Sequence, residues 1–495
     1  MTSKSFYFSI ERFHVLNRPV YTGWELSTTV TSAGRLAKQN TMNGLTTISE
    51  NKTTTATTID ALSGIAYYTN AVSPTTFKLL TINYYDNYTF KVFTPAIDYT
   101  TPSVYYNNTT LKPKGLPTGP WVRTPTTLIG TLAESSYILY DAKVRPIKTY
   151  TTNHLGGYTQ TDSNLVAFSG QLIYTETWHK RLTGDGELYT KEVFTYSDQD
   201  RLLTHTHQIG TGGTPQLLAS NTYDELGQLI GKNVGNTIAT PLQKINYAYN
   251  IRGWMTEINK VAALQQGTDP KDLFGFKIDY NTIDGDATAT NKLYNGNIAE
   301  TSWSTSPVVR TYGYKYDNLN RLKDATYQKA GLTTNAYNEN ITYDKNGNIL
   351  TLKRNGDTDP QIQPITIDDL TYTYKSTSLN QLAKVTDNPT TATSGFKDGT
   401  NTNDDYTYDT NGNLVTDQNK GITAIVYNHL NLPTKITFGT SGNIVYIYNA
   451  AGQKLEKIVT QGTAVTNTNY LGGYQYLKPN LGTWALQFFQ LPKGM

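Results

Sequence analysis

The stretch that decides the fold is DDYTYDTNGNLVTD, residues 404–417. Polar and aromatic residues alternate up to Tyr408, which is the period of a β-strand. Asp409 follows, and Gly412 stands three residues later, a spacing typical of a type I turn. The Asp carboxylate can accept a backbone N–H two residues on, and Gly adopts positive φ without a Cβ clash. An extended run resumes at Leu414, so this stretch predicts a strand, a turn and a second strand.

The same pattern recurs along the chain when it is aligned on the aromatic residue before the turn. The clearest copies are YDELGQL at Tyr223, YDNLNRL at Tyr316, YDKNGNI at Tyr343 and YDTNGNL at Tyr408. The eleven aromatic anchors are Phe13, Tyr140, Tyr196, Tyr223, Tyr249, Tyr316, Tyr343, Tyr374, Tyr408, Tyr427 and Tyr448. Their uneven spacing predicts hairpins of variable length that pair into one continuous sheet, rather than a solenoid of identical rungs.

The residue four positions after each anchor is predicted to adopt positive φ. Glycine, asparagine and aspartate tolerate this region best, and they hold the position at Gly227, Gly253, Gly347, Gly412, Gly452, Asn17, Asp200, Asn320 and Asn431. Val144 is a poor fit, and the unit at Tyr374 fits only with two extra residues. The predicted structural anchors are Tyr223, Asp224, Gly227, Tyr316, Asp317, Asn320, Tyr343, Asp344, Gly347, Tyr408, Asp409, Gly412, Tyr448 and Gly452.

Composition narrows the function classes. A net charge of +3 over 495 residues gives no excess of positive charge that would point to nucleic acid. The absence of cysteine excludes disulfides, thiolate metal ligands and thiol nucleophiles. The hydrophobic fraction of 37 % includes 38 tyrosines, which favours long β structure with a wetted surface over one large core. No apolar run is long enough for a membrane helix, and the first residues lack the pattern of a secretory signal.

The repeats divide the chain into four predicted regions. These are a divergent N-terminal β region with the first repeat-like unit, a first repeat array, an insertion and a second repeat array, at residues 1–130, 131–260, 261–306 and 307–495. The insertion contains the one predicted short helix, around Asp269–Phe274, because Pro270 suits the first turn of a helix.

On these residues the chain resembles the YD-repeat family, also called RHS proteins. The likeness covers most of the chain and extends to DLFGFKIDYN (272–281), YNGNIAETSW (294–303) and YLGGYQY with LQFF (470–489), which look like segments of Bacteroidetes-type RHS proteins. The resemblance implies an all-β fold in which a YD-repeat ribbon of hairpins spirals into a hollow shell, here an open and incomplete one. Residues 307–495 would then lead into the start of the RHS core region.

The resemblance also implies a function. In the family such shells enclose a C-terminal toxin domain or form the casing of a toxin complex, and animal relatives use a similar barrel for adhesion. The core segment that closes the shell and cleaves itself is expected after the LQFF region. This chain is therefore interpreted as a fragment whose expected partners are the missing core and toxin cargo. Its expected location is secreted or at the cell surface.

The residues themselves predict no metal site. Asp344 and Asp409 open stretches that look like Ca²⁺ loops, but the glycine and the twelfth ligand of such a loop do not fall in the required positions. His205 and His207 lie two residues apart on one face of a predicted strand. A zinc site needs a third ligand, and none has an obvious spacing to this pair, so a solvated hairpin is the preferred interpretation.

The residues predict no catalytic site either. Nucleophile-elbow, phosphate-loop and metalloprotease motifs are missing. The carboxylate pairs Asp284/Asp286 and Asp404/Asp405 lie in Gly- or Asn-rich loops, where nothing local would raise their pKa toward that of a general acid. No enzyme activity and no cofactor are therefore expected.

Two functions stay open. The first is a structural casing that sequesters a toxic cargo without catalysis of its own. The second is a surface recognition module in which exposed Tyr and Trp hold glycans or proteins. A closed lumen lined with polar and aromatic groups would favour the casing, whereas an exposed aromatic trough would favour adhesion.

Overall fold

The computed structural model describes residues 6–27, 31–91, 93–100, 103–125, 132–283, 292–356, 364–388, 394–399 and 402–489. In these ranges the protein has 34 strands and one helix, α1 (Ser32–Asn43). The first strands are β1 (Phe6–Phe13), β2 (Pro19–Ser27), β3 (Lys52–Ile59), β4 (Leu62–Tyr68), β5 (Lys78–Tyr85), β6 (Pro117–Arg123), β7 (Ala133–Tyr140), β8 (Pro146–Thr152), β9 (Tyr158–Leu165), β10 (Leu172–Lys180), β11 (Leu188–Tyr196) and β12 (Leu202–Ile209).

The middle strands are β13 (Gln216–Tyr223), β14 (Leu229–Val234), β15 (Gln243–Tyr249), β16 (Met255–Ile258), β17 (Gly275–Asp279), β18 (Glu300–Ser304), β19 (Arg310–Tyr316), β20 (Leu322–Lys329), β21 (Leu332–Thr333), β22 (Glu339–Tyr343), β23 (Ile349–Gly356), β24 (Ile365–Lys375) and β25 (Ser378–Asp387). The last are β26 (Tyr406–Tyr408), β27 (Leu414–Asp417), β28 (Ala424–Tyr427), β29 (Pro433–Phe438), β30 (Gly442–Tyr448), β31 (Lys454–Gln461), β32 (Ala464–Leu471), β33 (Tyr474–Lys478) and β34 (Ala485–Phe489).

These strands form a long antiparallel ribbon of hairpins. A 23-stranded sheet runs from β1 to β25, with β3–β4 as a separate hairpin, and β26–β27 and the seven strands β28–β34 follow it. The backbone N–H of Asp405 donates to the carbonyl of Ala383 at 2.9 Å, and Asp417 bridges to Ile422, so the later sheets continue the earlier one. The predicted all-β hairpin ribbon is confirmed. Among the described strands β1 pairs only with β2 and β34 only with β33, and the sheet is not closed into a barrel.

Each predicted aromatic anchor lies where the pairing register of its hairpin shifts. The register shifts at the anchor in all eleven units, as where Thr342 faces Thr351 but Tyr343 faces Ile349. A one-residue bulge of this kind bends a strand and increases its twist. Tyr374 faces Leu382 instead of the residue six positions on, which accounts for the two extra residues of that unit.

The turns have the predicted backbone geometry. The residue four positions after the anchor has positive φ at every position named for it, including φ of 85° at Gly412 and 62° at Asn320. Val144 adopts φ of 65°, so its unit forms the same turn despite the poorer residue. The Asp409 carboxylate accepts the backbone N–H of Asn411 at 2.9 Å, the contact expected two residues on.

Replacing Gly412 with valine is expected to cost more than about 1 kcal/mol of local stability, because a β-branched residue is penalised at positive φ. Crowding is not the cause, since a Cβ there would meet only the side-chain amide of Gln381 at 3.8 Å. Gly412→Asn is the matched control and should cost much less. Hydrogen exchange of residues 404–417 measures both variants, and equal protection in the two would contradict the backbone argument.

A large apolar core lies in the N-terminal third of the described chain, which corrects the expectation of wetted β structure without one large core. Seventeen buried residues between Ile10 and Tyr150 form one cluster. Its aromatic rings pack face to face or edge to face, as where Tyr84 stacks on Phe90 with 4.1 Å between ring centroids. Tyrosine therefore builds a continuous core here, because its ring packs while its hydroxyl reaches a backbone carbonyl.

The predicted helix at Asp269–Phe274 is wrong. The backbone N–H of Asp272 donates to the carbonyl of Leu264 at 2.8 Å, so this segment folds into turns before β17 begins at Gly275. The described chain has its helix at Ser32–Asn43 instead, where the Thr31 side chain accepts the N–H of Gly34 and caps the first turn. No side chain of α1 is buried. Its large apolar residues are limited to Leu36 and Met42, so its sequence has no apolar stripe by which the helix could be recognised. It is also too short and too polar to cross a membrane.

The ribbon returns against itself late in the chain. The backbone N–H of Ala450 donates to the carbonyl of Arg123 at 2.8 Å, and the Asn449 amide donates to the Glu134 carboxylate at 2.8 Å. Farther along, the Arg181 guanidinium donates to the side chain of Asn469 at 3.1 Å. Strands and turns about 300 residues apart in the sequence therefore lie against each other.

Candidate functional site: the inter-unit bonds and the covered face

In most repeats a tyrosine hydroxyl donates a hydrogen bond to the preceding repeat. The Tyr343 hydroxyl donates to the carbonyl of Leu322 at 2.8 Å, and Leu322 faces the anchor of the preceding unit across its bulge. We call this contact the inter-unit tyrosine bond. It recurs at 2.6–3.1 Å from Tyr85, Tyr140, Tyr223, Tyr249, Tyr280, Tyr316, Tyr374, Tyr408 and Tyr427. The hydroxyl of the repeat tyrosine is thus the atom that ties successive hairpins together.

The turns are also joined to one another. The Arg321 guanidinium donates to the Asp317 carboxylate of its own turn at 2.6 Å and to the Asp344 carbonyl of the next turn at 2.9 Å. The hydrogen bonds within the turn lower the pKa of the Asp317 carboxyl, the backbone N–H of Arg321 having the largest effect. The Asn413 amide bridges Asp409 and Asn431 in the same way. These predicted anchor carboxylates therefore act as acceptors that shape turns.

One face of the early strands is covered by the last hairpins. We call it the covered face: the side chains of β8–β12 that lie beneath the β32–β34 region. Its lining is rich in hydroxyl groups, and a cleft of about 390 Å³ separates the two layers. The cleft is lined by Thr159, Thr161, Thr175, Thr177, Thr190, Glu192, His207, Gly472, Gly473, Tyr474 and Phe489. An adjoining cleft of about 320 Å³ includes Glu134, Ser136, Thr149, Thr151 and Asn449.

His205 and His207 lie on the covered face, which overturns their interpretation as a solvated hairpin. They are 1 % and 5 % exposed, respectively. The His205 Nε2 lies 3.2 Å from a carboxylate oxygen of Glu192, on the neighbouring strand β11. The His207 ring lies near Phe489. Within the described ranges, no three acidic or histidine side chains are placed to hold a metal ion.

Two further histidines are buried beside this pair. His179 is fully buried, its Nδ1 lies 2.8 Å from the Thr159 hydroxyl, and its ring stacks on Tyr474 with 3.7 Å between centroids. Burial lowers the pKa of His179 to about 4. Burial, assisted by the charge of Arg181, also lowers the pKa of His154 to about 4. Both rings are neutral in the packed state because desolvation disfavours their charged form.

The other predicted carboxylates are not brought together into a catalytic pair. Asp405 is fully buried, and its carboxylate accepts the backbone N–H of Val385 and the Asn419 amide, so it has a structural role. Asp404 is exposed at the surface. Asp284 and Asp286 lie outside the described residues.

Sequence reasoning missed Tyr85 and Tyr280, two donors of inter-unit bonds that are not among the eleven anchors, and it missed the covered face. Tyr85 faces Pro117 across a bulge and is followed by Asp86 at φ of 70°, but a long loop separates the two halves of its hairpin. The signal was present as the dipeptide Tyr85–Asp86. The covered face had no local signal, because its burial depends on hairpins near the end of the chain.

Comparisons with known proteins give structural matches only. No family model and no curated protein matches the chain. A crystal structure titled TcdB2-TccC3-Cdc42 aligns with 97 % of this chain and 27 % of its own, at 12 % identity and a TM-score of 0.40. TcdB2-TccC3 without the hypervariable C-terminal region aligns with 96 % of this chain and 27 % of its own, at 13 % identity and the same TM-score. The chain thus spans about a quarter of the length of these solved chains.

Proposed function

We propose that this chain is a wall segment of an RHS-type shell, a non-catalytic casing that encloses a toxin cargo outside the producing cell. The observation that carries the proposal is the return of the ribbon on itself over a polar face. A wall must be continuous and must turn back to enclose space. Its inner side must tolerate water and a folded guest.

Continuity is supplied by the sheet and the inter-unit tyrosine bonds. A single hairpin is marginally stable, and pairing with both neighbours makes it part of a rigid wall. The hydroxyl of Tyr408 reaches the carbonyl of Leu382, and that of Tyr427 reaches Leu414. These bonds span the junctions where the ladder of the large sheet gives way to the later sheets, so the wall is maintained across them.

The distribution of side chains favours a casing over an adhesive surface. The covered face presents threonine hydroxyls to the cleft beneath the last hairpins, with Thr161 and Thr177 paired at 3.3 Å, so the side toward which the ribbon turns is polar. Most exposed aromatic rings of the described chain lie apart from one another, on different elements: Tyr105, Phe168, Phe274, Tyr294 and Phe488. A glycan-binding trough would require such rings to be neighbours.

Protease protection tests the enclosure. The chain is produced alone and as a longer product in which an RHS-type core and toxin-like segment is joined to its C-terminus. Each product is digested with trypsin, and light scattering reports its mass. We expect the chain alone to self-associate through unpaired strand edges, and the longer product to be monomeric with its trailing segment protected. A monomer in both forms, with a trailing segment that is cleaved freely, would contradict the casing and favour an adhesion module.

A matched variant identifies the edge responsible for self-association. Phe488 lies on β34 and is 56 % exposed, and β34 is an edge strand of the described sheet. A lysine on an edge strand opposes edge-to-edge pairing, so Phe488→Lys should reduce association of the chain alone. Leu481→Lys, at an exposed turn outside the strands, is the control and should leave association unchanged.

A further inference from the structure

Histidines are concentrated where the late hairpins meet the early strands. The chain has six histidines. Four of them, His154, His179, His205 and His207, lie on or beside the covered face, and each is at most 9 % exposed. We call β32, β33 and their turn at Gly472–Gly473 the closing hairpin. Its Tyr474 stacks on His179, and its turn lines the same cleft as His207. Such a cluster is unusual in a buried contact, because histidine is the side chain whose charge changes nearest to neutral pH.

The contact is built on the neutral form of His179. Its ring lies parallel to Tyr474, with 2° between the ring planes, and its Nδ1 is hydrogen-bonded to the Thr159 hydroxyl. Its Nε2 is buried without a hydrogen-bond partner. A second proton would therefore place a charge, and a donor without an acceptor, inside the layer contact. Buried charges without partners are strongly unfavourable.

The surrounding charges do not offset that cost. The titratable groups around the contact are His154 from the β8–β9 turn, Arg181 and Asp185 from the turn after β10, Glu192 from β11, His205 and His207 from β12, Glu456 from β31, and Tyr474 and Tyr476 from β33. Arg181 opposes protonation of His154 directly. Glu192 is already hydrogen-bonded to the His205 ring. The charges of Asp185 and Glu456 favour the charged form of Arg181 and so raise its pKa.

We propose that the contact between the closing hairpin and the covered face is an acid-sensitive closure, in which protonation of His179 and His154 releases the hairpin from β9–β11. At pH values above the ordinary histidine pKa of about 6.5, the two rings are neutral in both the packed and the released state, and the contact has its full strength. Between that value and about 4, the released state binds protons that the packed state excludes. The contact therefore weakens as the pH falls through this interval.

Hydrogen exchange of the parent chain tests the closure. Protection of residues 464–478 is measured at about pH 7 and about pH 4.5 and is corrected for the intrinsic pH dependence of exchange. These two values bracket most of the interval over which the contact should weaken. We expect it to fall at least about tenfold, as a loss of about 1.4 kcal/mol would produce. The hairpin β19–β20 contains no histidine and is the internal control. Equal loss in both hairpins, or none in either, would overturn the proposal.

Variants assign the response to the two histidines. His179→Phe keeps a flat ring against Tyr474 but cannot take up a proton. The double variant with His154→Phe should remove most of the response, with buried His207 left in place. His14→Phe alters a histidine in the N-terminal part of the chain, outside this contact, and should respond like the parent. An undiminished response in the double variant would overturn the assignment.

A second measurement needs no variant to fold. In parent protein labelled at histidine Cε1, NMR reports the protonation of each ring. Two histidine signals that stay neutral until the closing hairpin loses protection would support the proposal. Titration of all six signals near the ordinary pKa of about 6.5, with the hairpin still protected, would refute it.

Discussion

Replacing Glu50 with alanine is expected to destabilise the N-terminal core by about 3 to 5 kcal/mol. Glu50 is fully buried, and its carboxylate accepts the Thr69 hydroxyl at 2.6 Å and the backbone N–H groups of Ala71 and Val72 at 2.9 and 3.0 Å. Truncation leaves these donors without their acceptor. Hydrogen bonds to a charged group contribute about 1.5 to 3 kcal/mol each, and the N–H of Val72 would be left buried without a partner. It also removes a negative charge that favours the charged form of buried Arg12.

Hydrogen exchange of residues 66–82 measures this loss where it occurs. Glu50→Gln retains one acceptor oxygen and should lose less than Glu50→Ala. Glu11→Ala removes an exposed carboxylate from β1 and is the matched control, expected to lie within about 0.5 kcal/mol of the parent. If the two alanine variants exchange alike, the carboxylate of Glu50 does not anchor this segment.

Replacing Gly157 with alanine is expected to destabilise the β9–β10 hairpin by about 3 kcal/mol, the upper part of the range for overpacking. A Cβ at this position would lie 2.2 Å from the carbonyl oxygen of Lys180 and 2.3 Å from that of Arg181. Both are backbone atoms, so a side-chain rotation cannot relieve the clash and the strands must move apart. The Asn153 side chain resists that movement, because it accepts the Gly157 N–H at 3.0 Å while its amide donates to the carbonyls of Lys180 and Arg181 at 3.3 and 3.2 Å.

Thermal melting and exchange of residues 158–180 provide the measurement. Gly184→Ala is the control, because a Cβ there has no atom within 4 Å, and it should melt with the parent. If Gly157→Ala also melts with the parent, the two strands are not as closely apposed as the structure has them.

The parts of the fold that could be predicted are those encoded within a few residues. The turn at Asp409–Gly412 is local, because the carboxylate, the N–H groups it accepts and the positive φ all lie within one unit. The bulge follows from the same six-residue spacing between Tyr408 and Leu414. The helix α1 escaped prediction because it buries no side chain, and its capping residue Thr31 stands in a stretch rich in threonine.

The covered face could not be predicted, because it is created by contacts between distant parts of the chain. His179 is buried by Tyr474, and His207 lies beside Phe489. Nothing within their own strands distinguishes these histidines from solvated ones. Likewise, Glu50 reads as an acid in a polar stretch until the donors at Ala71 and Val72 are placed around it. Burial of this kind depends on the path of the ribbon rather than on local sequence.

The inter-unit tyrosine bond has a consequence for how such a chain can change over evolutionary time. Its donor is a side chain, but its acceptor is a main-chain carbonyl. The type of the accepting residue can therefore differ, and different units use Pro19, Met255, Leu322 or Ile349. The bond fixes the start of each hairpin without constraining the hairpin's length. A segment as long as residues 86–116 can therefore be inserted between Tyr85 and Pro117 while their pairing is kept. Drift and insertion can accumulate between tyrosines while the course of the backbone persists.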